Sequence, residues 1–220
     1  MGVLLADERW QVVAYARRMV ADRLVVGTSG NLSTRSGDLI AITPTAVDYD
    51  ELTPDHVSVC QLDGARIDGS HEPTSELAMH LTAYRLTGAG AVVHTHSPAA
   101  TAVSVLVDVV PSVHYLVGMF GGPIRVAPYA TYGTPELADH MAGALADRTG
   151  CLLGNHGTIT VGDTLGHAYH RAQYLEWLCD VWLRARSAGE PRLLDDAEIE
   201  KVAEKLVSYL PVTGTRPDPR

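Results

Sequence analysis

The 220-residue sequence is poor in cysteine, and the few cysteines it contains form no motif. Cys60, Cys151 and Cys179 are odd in number and far apart in the chain. Each lies in an apolar stretch, which is typical of a buried thiol in a reducing compartment. This usage excludes a disulfide-stabilised scaffold and predicts a cytoplasmic protein.

Clusters of basic residues and long hydrophobic runs are also absent. The chain has 17 Lys and Arg against 26 Asp and Glu, a formal net charge of −9, and its basic residues are dispersed. Binding of nucleic acid needs grouped Lys and Arg side chains to neutralise phosphates, so nucleic acid is excluded as the main partner. No apolar run approaches the length that crosses a bilayer, and Met1 to Asp22 lacks the anatomy of a signal peptide, so no membrane association is expected.

The overall composition is that of a globular domain. Hydrophobic residues make up 46% and charged residues 20% of the chain, which is ordinary for a globular protein. Because no internal repeat or linker divides the sequence, we expect a single domain over residues 1–210. Residues 211–220 are rich in proline and charge and are expected to form a mobile tail.

The most informative stretch runs from Ala91 to Pro98. Its β-branched valines predict a buried strand, and side chains two residues apart on a strand point to the same face. His94 and His96 therefore project together, roughly 6–7 Å apart at their Cα atoms, and can converge on one cation. The ordinary interpretation is a pair of core or surface histidines with satisfied hydrogen bonds. Ser97 and Pro98 then predict the start of a helix.

The remaining pattern alternates between helices and strands. Helices are predicted over residues 5–22, 73–86, 98–106, 134–146, 164–187 and 195–210. Strands are predicted over residues 39–43, 56–62, 91–96, 113–117, 124–126, 151–153 and 158–161. Strands in the middle of the chain, with helices before, between and after them, predict an α/β sandwich on one mixed or antiparallel sheet.

Two segments rich in small polar residues are candidates for anion binding. Residues 27–33 include two glycines, whose backbone amides can approach a ligand closely and form an anion-binding nest. Residues 73–76 are predicted to open a helix, where free N–H groups favour an anion and Thr74 and Ser75 could add hydroxyl donors. Each segment also has an ordinary interpretation: a hairpin loop for the first and helix capping for the second.

Two further residues could complete a site with the paired histidines. His156 lies in a glycine-flanked turn, and Glu76 lies in the first turn of a predicted helix. Three imidazoles around a cation with an open fourth position form a catalytic metal arrangement. Three neutral ligands leave the cation its full charge, which suits polarisation of a carbonyl or stabilisation of an enediolate. A nearby carboxylate is a natural general base for a proton next to that carbonyl.

Seven short motifs occur in order between Gly27 and Gly157, within a resemblance that covers the chain from the first predicted helix to about Tyr209. They are Gly27-Thr-Ser-Gly-Asn31, Ile42-Thr-Pro-Thr45, Pro73-Thr-Ser-Glu76, Val93-His-Thr-His96, His114-Tyr115, Ala127-Pro-Tyr-Ala-Thr-Tyr-Gly133 and Leu152-Leu-Gly-Asn-His-Gly157. Together they resemble the class II aldolase/adducin-head family, and within it the L-fuculose-1-phosphate aldolases. The order and spacing of the set carry this resemblance, since each motif alone is weak.

The resemblance implies a fold, an assembly and a reaction. The implied fold is a three-layer α/β/α sandwich around a mixed, largely antiparallel sheet. The implied assembly is a homotetramer with active sites between subunits. The implied reaction is the reversible cleavage of a ketose 1-phosphate similar to L-fuculose 1-phosphate, through an enediolate, to dihydroxyacetone phosphate and an aldehyde. One Zn²⁺ per subunit is the implied cofactor, with other divalent metals as alternatives.

The resemblance also implies roles for individual residues. Glu76 would act as acid and base on the enediolate. Tyr115 would reach a neighbouring subunit's site and act on the aldehyde oxygen, and Tyr209 would close over the substrate. The metal ligands would be His94, His96, His156 and Glu76. The phosphate would be bound by Thr28, Gly30, Asn31, Thr45, Ala46, Thr74 and Ser75.

The chain departs from the family pattern at two positions and leaves other reactions open. Ala46 stands where close relatives have Gly, and Thr74 replaces a Ser with another hydroxyl. Ribulose-phosphate 4-epimerases look similar but usually carry Asp in place of Glu76, which favours aldol cleavage or dehydration here. Methylthioribulose-1-phosphate dehydratases share the three histidines and the glutamate. Structural adducin-type heads lack the metal histidines, which argues against a non-enzymatic module.

The histidines outside these motifs are predicted to be ordinary packing or surface residues. His80 is expected to pack on a helix face, with a place behind the metal ligands as the alternative. The others are His56, His71, His140, His167 and His170.

Overall fold

The computed structural model describes residues 3–209, with side chains up to residue 206. Its helices are α1 (Ala6–Ala21), α2 (Leu77–Thr87), α3 (Pro98–Ser104), α4 (Pro135–Leu145), α5 (Leu165–Ala188) and α6 (Asp196–Tyr209). Its strands are β1 (Asn31–Ser36), β2 (Leu39–Ile42), β3 (Ser58–Gln61), β4 (Arg66–Asp68), β5 (Ala91–Thr95), β6 (Val109–Val110), β7 (Ile124–Ala127), β8 (Gly150–Leu153) and β9 (Gly157–Gly162). The predicted tail over residues 211–220 lies outside the described residues.

The strands form one sheet in the order β4-β3-β2-β1-β5-β9-β8-β7-β6. β7 and β8 run parallel, and the other neighbouring pairs are antiparallel. The central strand β5 lies between β1 and β9, where Asn31 pairs opposite His94 and Thr158 pairs opposite Thr95. This register places the predicted metal-binding strand in the middle of the sheet.

Helices cover both faces of the sheet, which confirms the predicted three-layer α/β/α fold. On one face, α2 and α4 pack over strand residues that include Ile40 and Val92. On the other face, α1 and α5 pack over residues that include Leu32 and Val93. Because neighbouring side chains on a strand alternate between faces, His94 lies on the α2 side together with Val92. In the described part of the chain, no helix is both long enough and apolar enough to cross a membrane.

The second helix begins at Leu77, and the prediction that it begins at Pro73 is wrong. Residues 72–74 are extended and pair with residues 43–45 across an isolated backbone bridge, with hydrogen bonds of 3.0 Å in both directions. Proline suits an extended segment as well as the first turn of a helix, so local sequence does not separate the two. This pairing holds two of the candidate phosphate-binding segments side by side.

The strand predicted over residues 113–117 is also wrong, because Tyr115–Phe120 form a 3₁₀ helix. At the start of this 3₁₀ helix, the N–H of Leu116 donates to Nδ1 of His114 at 3.3 Å. Gly118 packs against the backbone of α6, where an added Cβ would lie 3.0 Å from a carbonyl oxygen. The strand β1 escaped prediction because five of its six residues are polar, and the short strands β4 and β6 escaped it because two or three residues show no periodic pattern.

Candidate active site

The four predicted metal ligands lie together where separate segments of the chain meet. His94 lies in β5 and His96 follows its end, while Glu76 is the N-cap residue of α2. His156 lies in the turn between β8 and β9. One ring nitrogen or carboxylate oxygen from each of the four lies within 4.8 Å of those of the others. The fold therefore brings together the residues that sequence reasoning could only connect by spacing and resemblance.

The glycine that begins β9 allows His156 to reach the cluster. Asn155 adopts a left-handed conformation, with φ of 54°, which asparagine tolerates better than most residues. A Cβ added to Gly157 would collide with the backbone carbonyl of Thr95. Because position 157 has no side chain, the turn packs directly on β5, and the rings of His156 and His96 lie with centroids 4.7 Å apart.

His94 is the geometric centre of the cluster. Its Nε2 lies 2.9 Å from Nε2 of His96 and 3.1 Å from Oε2 of Glu76. The other carboxylate oxygen, Oε1, lies 3.3 Å from Nε2 of His156. Nδ1 of His94 donates to the carbonyl oxygen of Thr158 at 2.7 Å, so Nε2 is directed into the cluster. A carbonyl partner of this kind fixes the tautomer and orientation of a metal-binding histidine.

This donor set fits a divalent cation. With Nδ1 of His94 donating to Thr158, loss of a proton from Nε2 exposes a lone pair toward His96 and Glu76. Oε1 of Glu76 is buried and accepts no hydrogen bond from any residue that the structure describes. Lone pairs held together inside a protein repel each other unless a cation or a proton lies between them. Imidazole and carboxylate groups are ligands that Zn²⁺ accepts, and the cluster can therefore bind a metal ion.

Burial and the contacts within the cluster shift the pKa of each of its four members. Burial lowers the pKa of His96 to about 3 and that of His156 to about 4, so both imidazoles are neutral at pH 7. Burial also acts to lower the pKa of His94, but the neighbouring Glu76 carboxylate raises it overall. Burial acts to raise the pKa of Glu76, and the charge of His94 with its hydrogen bond lowers it overall. The glutamate therefore remains an ionised carboxylate.

A cavity of about 380 Å³ opens beside the cluster, and three metal-ligand candidates, Glu76, His96 and His156, form part of its wall. Hydroxyl, amide and backbone groups form most of the rest, and none of the described residues that line it is Lys or Arg. The lining consists of Thr28, Ser29, Gly30, Asn31, Pro44, Thr45, Ala46, Thr74, Ser75, Glu76, His96, Tyr129, Ala130, Tyr132, Asn155 and His156. All seven residues suggested for phosphate binding are among them.

Backbone geometry shapes the cavity wall at two positions. Gly30 has a φ of +73°, and an added Cβ would lie 2.5 Å from Val25 and 2.9 Å from the carbonyl oxygen of His94. A residue with a side chain would therefore push this segment away from the metal ligands. Ala46 has a φ of 55°, so it keeps the left-handed backbone that glycine adopts readily, at a cost of about 1 kcal/mol. The departure from glycine thus adds a methyl group and leaves the turn intact.

Comparison with known proteins identifies the family. The family model described as "Class II Aldolase and Adducin N-terminal domain" matches residues 10–183. The chain belongs to this family. The resemblance inferred from the seven motifs is thus confirmed.

Similar proteins of this family are named as aldolases. A 5-deoxy-D-ribulose 1-phosphate aldolase of Bacillus thuringiensis serovar kurstaki is 40% identical over 210 residues, covering 94% of this chain and 99% of that protein. An L-fuculose phosphate aldolase of Escherichia coli strain K12 is 39% identical over 206 residues, covering 90% of this chain and 94% of that protein. The solved structure of an L-fuculose 1-phosphate aldolase has a TM-score of 0.90 at 34% identity, and the match covers 93% of this chain and 98% of that one. The chain is therefore an enzyme of the aldolase class.

The two predicted catalytic tyrosines have different outcomes in this class II aldolase chain. Tyr115 lies away from the cavity wall, and the side chain of Tyr209 lies outside the part of the chain that the structure describes. Tyr115 is 49% exposed on the 3₁₀ helix, and its ring lies 4.4 Å from that of His114. It is not among the residues that line the cavity. Tyr209 is the last described residue of α6, and its side chain lies outside what the structure describes.

Some residues of the class II aldolase site were missed in the sequence. Tyr129, Tyr132 and Asn155 line the cavity, although no role was predicted for them. All three fall within the motifs that carried the family resemblance, which is the signal that could have identified them. His80 is fully buried, and its Nε2 lies 2.6 Å from Oδ1 of Asn31, so it lies behind the metal ligands rather than merely packing on its helix.

Proposed function

We propose that the protein is a zinc-dependent aldolase that cleaves a ketose 1-phosphate reversibly to dihydroxyacetone phosphate and an aldehyde. The observation that carries this proposal is the position of the Glu76 and histidine cluster in the wall of a polar cavity whose described lining contains no Lys or Arg. A cation site supports chemistry at a ketose oxygen, and neutral donors beside it support binding of the phosphate at the other end of the same three-carbon unit.

The proposed substrates share one half and differ in the other. L-fuculose 1-phosphate and 5-deoxyribulose 1-phosphate, the substrate types that the names of two relatives indicate, both carry a C1 phosphate and a C2 carbonyl. Cleavage of the C3–C4 bond of either gives dihydroxyacetone phosphate. The other product is lactaldehyde from the first and acetaldehyde from the second. We therefore expect the cavity to select the common phosphate-bearing half.

In the proposed mechanism, the phosphate is bound by hydroxyl groups, amides and free backbone N–H groups of the three loops that line the cavity. A bound divalent cation supplies a Lewis acid for the ketose oxygen. In cleavage, the C4 hydroxyl loses its proton and the electrons of the C3–C4 bond pass to C3, forming the enediolate. Glu76 starts as a carboxylate, takes up the proton released by the C4 hydroxyl and then gives it to C3, so no proton is consumed overall. The phosphate donors are Thr28, Gly30, Asn31, Thr45, Ala46, Thr74 and Ser75.

The proposal extends to the assembly and the cellular compartment. Tyr115 is exposed and outside the cavity of its own chain, which supports a role in the site of a neighbouring subunit in a homotetramer. There it would exchange the proton of the aldehyde oxygen, and Tyr209 would close over the substrate. The buried free thiols of Cys60, Cys151 and Cys179 support a location in the reducing cytoplasm.

The test measures metal content and product formation on the same preparation. We expect about one zinc per chain and release of dihydroxyacetone phosphate from L-fuculose 1-phosphate or 5-deoxyribulose 1-phosphate, detected with a coupled reductase. Removal of zinc by a chelator should abolish cleavage, and added zinc should restore it. Metal-loaded protein that releases no dihydroxyacetone phosphate from either ketose would overturn the aldolase proposal. Dehydration of methylthioribulose 1-phosphate or 4-epimerisation of a pentulose phosphate would then identify the activity.

A further inference from the structure

A row of polar side chains lies buried behind the candidate metal cluster. Glu76, His80 and Tyr84 are spaced four residues apart, at the N-cap and on one face of α2. Asn31 and Ser33 are two residues apart in β1, so their side chains lie on the same face of that strand. The helix row faces the strand row, and the five side chains form one continuous chain of hydrogen bonds.

The direction of each hydrogen bond follows from the groups involved. The ionised Glu76 can only accept, so Nδ2 of Asn31 donates to its Oε2, at 2.8 Å. Oδ1 of Asn31 can likewise only accept, so Nε2 of His80 carries a hydrogen and donates at 2.6 Å. Nδ1 of the neutral His80 then accepts from the hydroxyl of Ser33 at 2.8 Å. The hydroxyl of Tyr84 donates in turn to Ser33, at 2.7 Å.

The neutral state of His80 is consistent with this direction. His80 has no exposed surface, and burial lowers its pKa to about 3. The imidazole therefore carries one hydrogen at pH 7, and the acceptor Asn31 requires that hydrogen on Nε2. A protonated imidazole would donate from Nδ1 as well, so the hydroxyl of Ser33 would accept from His80 and be free to donate to Tyr84, which reverses that end of the row.

The row distinguishes the two oxygens of the Glu76 carboxylate. Oε2 is held by Asn31 and lies 3.1 Å from Nε2 of His94. Oε1 lies 3.3 Å from Nε2 of His156 and accepts no hydrogen bond from the described residues. One oxygen is thus anchored, and the other has no competing hydrogen-bond donor.

We propose that Asn31, His80, Ser33 and Tyr84 act as positioning residues that anchor Oε2 of Glu76 and leave Oε1 as the oxygen that carries the proton. The proton is the one exchanged at C3 of dihydroxyacetone phosphate, and this identity rests on the proposed aldolase function. The row itself rests on the hydrogen bonds alone. A buried row of polar groups is costly unless every member is paired, so loss of one donor should disturb the whole chain of bonds.

The kinetic test compares His80→Phe with His80→Gln in the zinc-loaded protein. Phenylalanine fills the space and removes both ring nitrogens, whereas the amide of glutamine can still donate to Asn31. We expect His80→Phe to lower kcat for cleavage by about 10- to 100-fold and to leave KM within about threefold. Exchange of the C3 hydrogen of dihydroxyacetone phosphate in D₂O, without aldehyde, should fall by the same factor. His80→Gln should recover most of both losses.

A second pair of variants separates the row from general packing. Tyr84→Phe removes the hydroxyl at the far end of the row, and we expect a smaller fall in kcat of about 3- to 10-fold. Tyr169→Phe is the matched control, because Tyr169 is a buried tyrosine on the opposite face of the sheet whose hydroxyl donates to Asp22 at 2.7 Å. It should leave kcat and hydrogen exchange unchanged. Folded His80→Phe protein with kcat and exchange within twofold of the parent chain would overturn the positioning role.

A spectroscopic measurement tests the direction of the hydrogen bonds in the row independently of catalysis. Long-range ¹H–¹⁵N NMR spectra of zinc-free and zinc-loaded protein report which ring nitrogen of His80 carries hydrogen. We expect His80 to be the Nε2–H tautomer in both states. In Tyr84→Phe we expect a mixture of the two neutral tautomers. An Nδ1–H tautomer would overturn the proposed direction of the row. If the parent protein showed the Nε2–H tautomer but neither cleaved ketose phosphates nor exchanged dihydroxyacetone phosphate, the proposed function would fail while the row itself would stand.

Discussion

Gly157 is the position where the smallest possible substitution should disturb the metal cluster most clearly. An added Cβ would lie nearest the carbonyl oxygen of Thr95, well inside 3.0 Å, with the Cα of His96 at 3.3 Å. The contacted atoms belong to the backbone of β5 and its continuation and cannot rotate away. Gly157→Ala should therefore force the β8–β9 turn away from β5 by roughly 1 Å.

The structure sets the expected size of this effect. The β5–β9 contact includes the hydrogen bond from His94 to the carbonyl of Thr158 and the 2.8 Å contact between the hydroxyls of Thr95 and Thr158. Overpacking of this kind costs about 1–3 kcal/mol of unfolding free energy. Because His156 precedes the substituted residue and His94 loses its orienting partner, zinc affinity should fall by about 10- to 100-fold.

The assay measures unfolding by denaturant and zinc affinity by competition with a chromophoric chelator. Gly143→Ala is the matched control, since Gly143 lies inside α4 and an added Cβ meets no atom within 4 Å. Alanine there should raise the unfolding free energy by about 0.5–1 kcal/mol and leave zinc affinity unchanged. The reasoning is refuted if Gly157→Ala matches the parent chain in both stability and zinc affinity.

Three further substitutions test other parts of the structure. His156→Ala should remove the bound zinc and lower cleavage at least about 100-fold; stoichiometric zinc in the purified variant would contradict the proposed ligand set. Glu176→Ala should lower the unfolding free energy by about 1–2 kcal/mol, because its two carboxylate oxygens accept the N–H groups of Ala99 and Ala100 at 2.9 and 2.8 Å and cap α3. Glu176→Gln should lower the unfolding free energy by less than Glu176→Ala does. Equal losses for the two variants in denaturant unfolding would argue against capping. Ala46→Gly should change KM for the ketose phosphate by about fourfold or less, the value of one methyl group; a larger change in steady-state kinetics would place that methyl group against the phosphate.

Local patterns in the sequence were sufficient for most elements and for the types of ligand. Thr134 and Thr164 were expected to begin helices, and each side chain accepts the N–H three residues later, at 3.3 and 3.2 Å. The alternation in β5 correctly placed His94 and His96 at a buried strand and its end. These features depend on residues a few positions apart, and the physical rules of capping and strand alternation act over that range.

Local patterns failed where a segment had two acceptable conformations. The segment at Pro73 could begin a helix or lie extended, and its bridge to Pro44 decides in favour of the extended form. The apolar residues around Leu116 could form a strand or a 3₁₀ helix, and packing of Gly118 against α6 accompanies the second. In both cases the partner lies far along the chain, beyond the range of any local pattern.

The sequence by itself determined the family, the order of the main elements, the three histidines and the glutamate, and the uncharged loops beside them. The tertiary structure decided which atoms of these residues meet. The bonds from Asn31 to Glu76 and from His80 to Asn31 join residues 45 and 49 positions apart. They depend on the register between β1 and β5 and on the position of α2 over that pair, since a slip of one residue would turn Asn31 and Ser33 to the opposite face of the sheet.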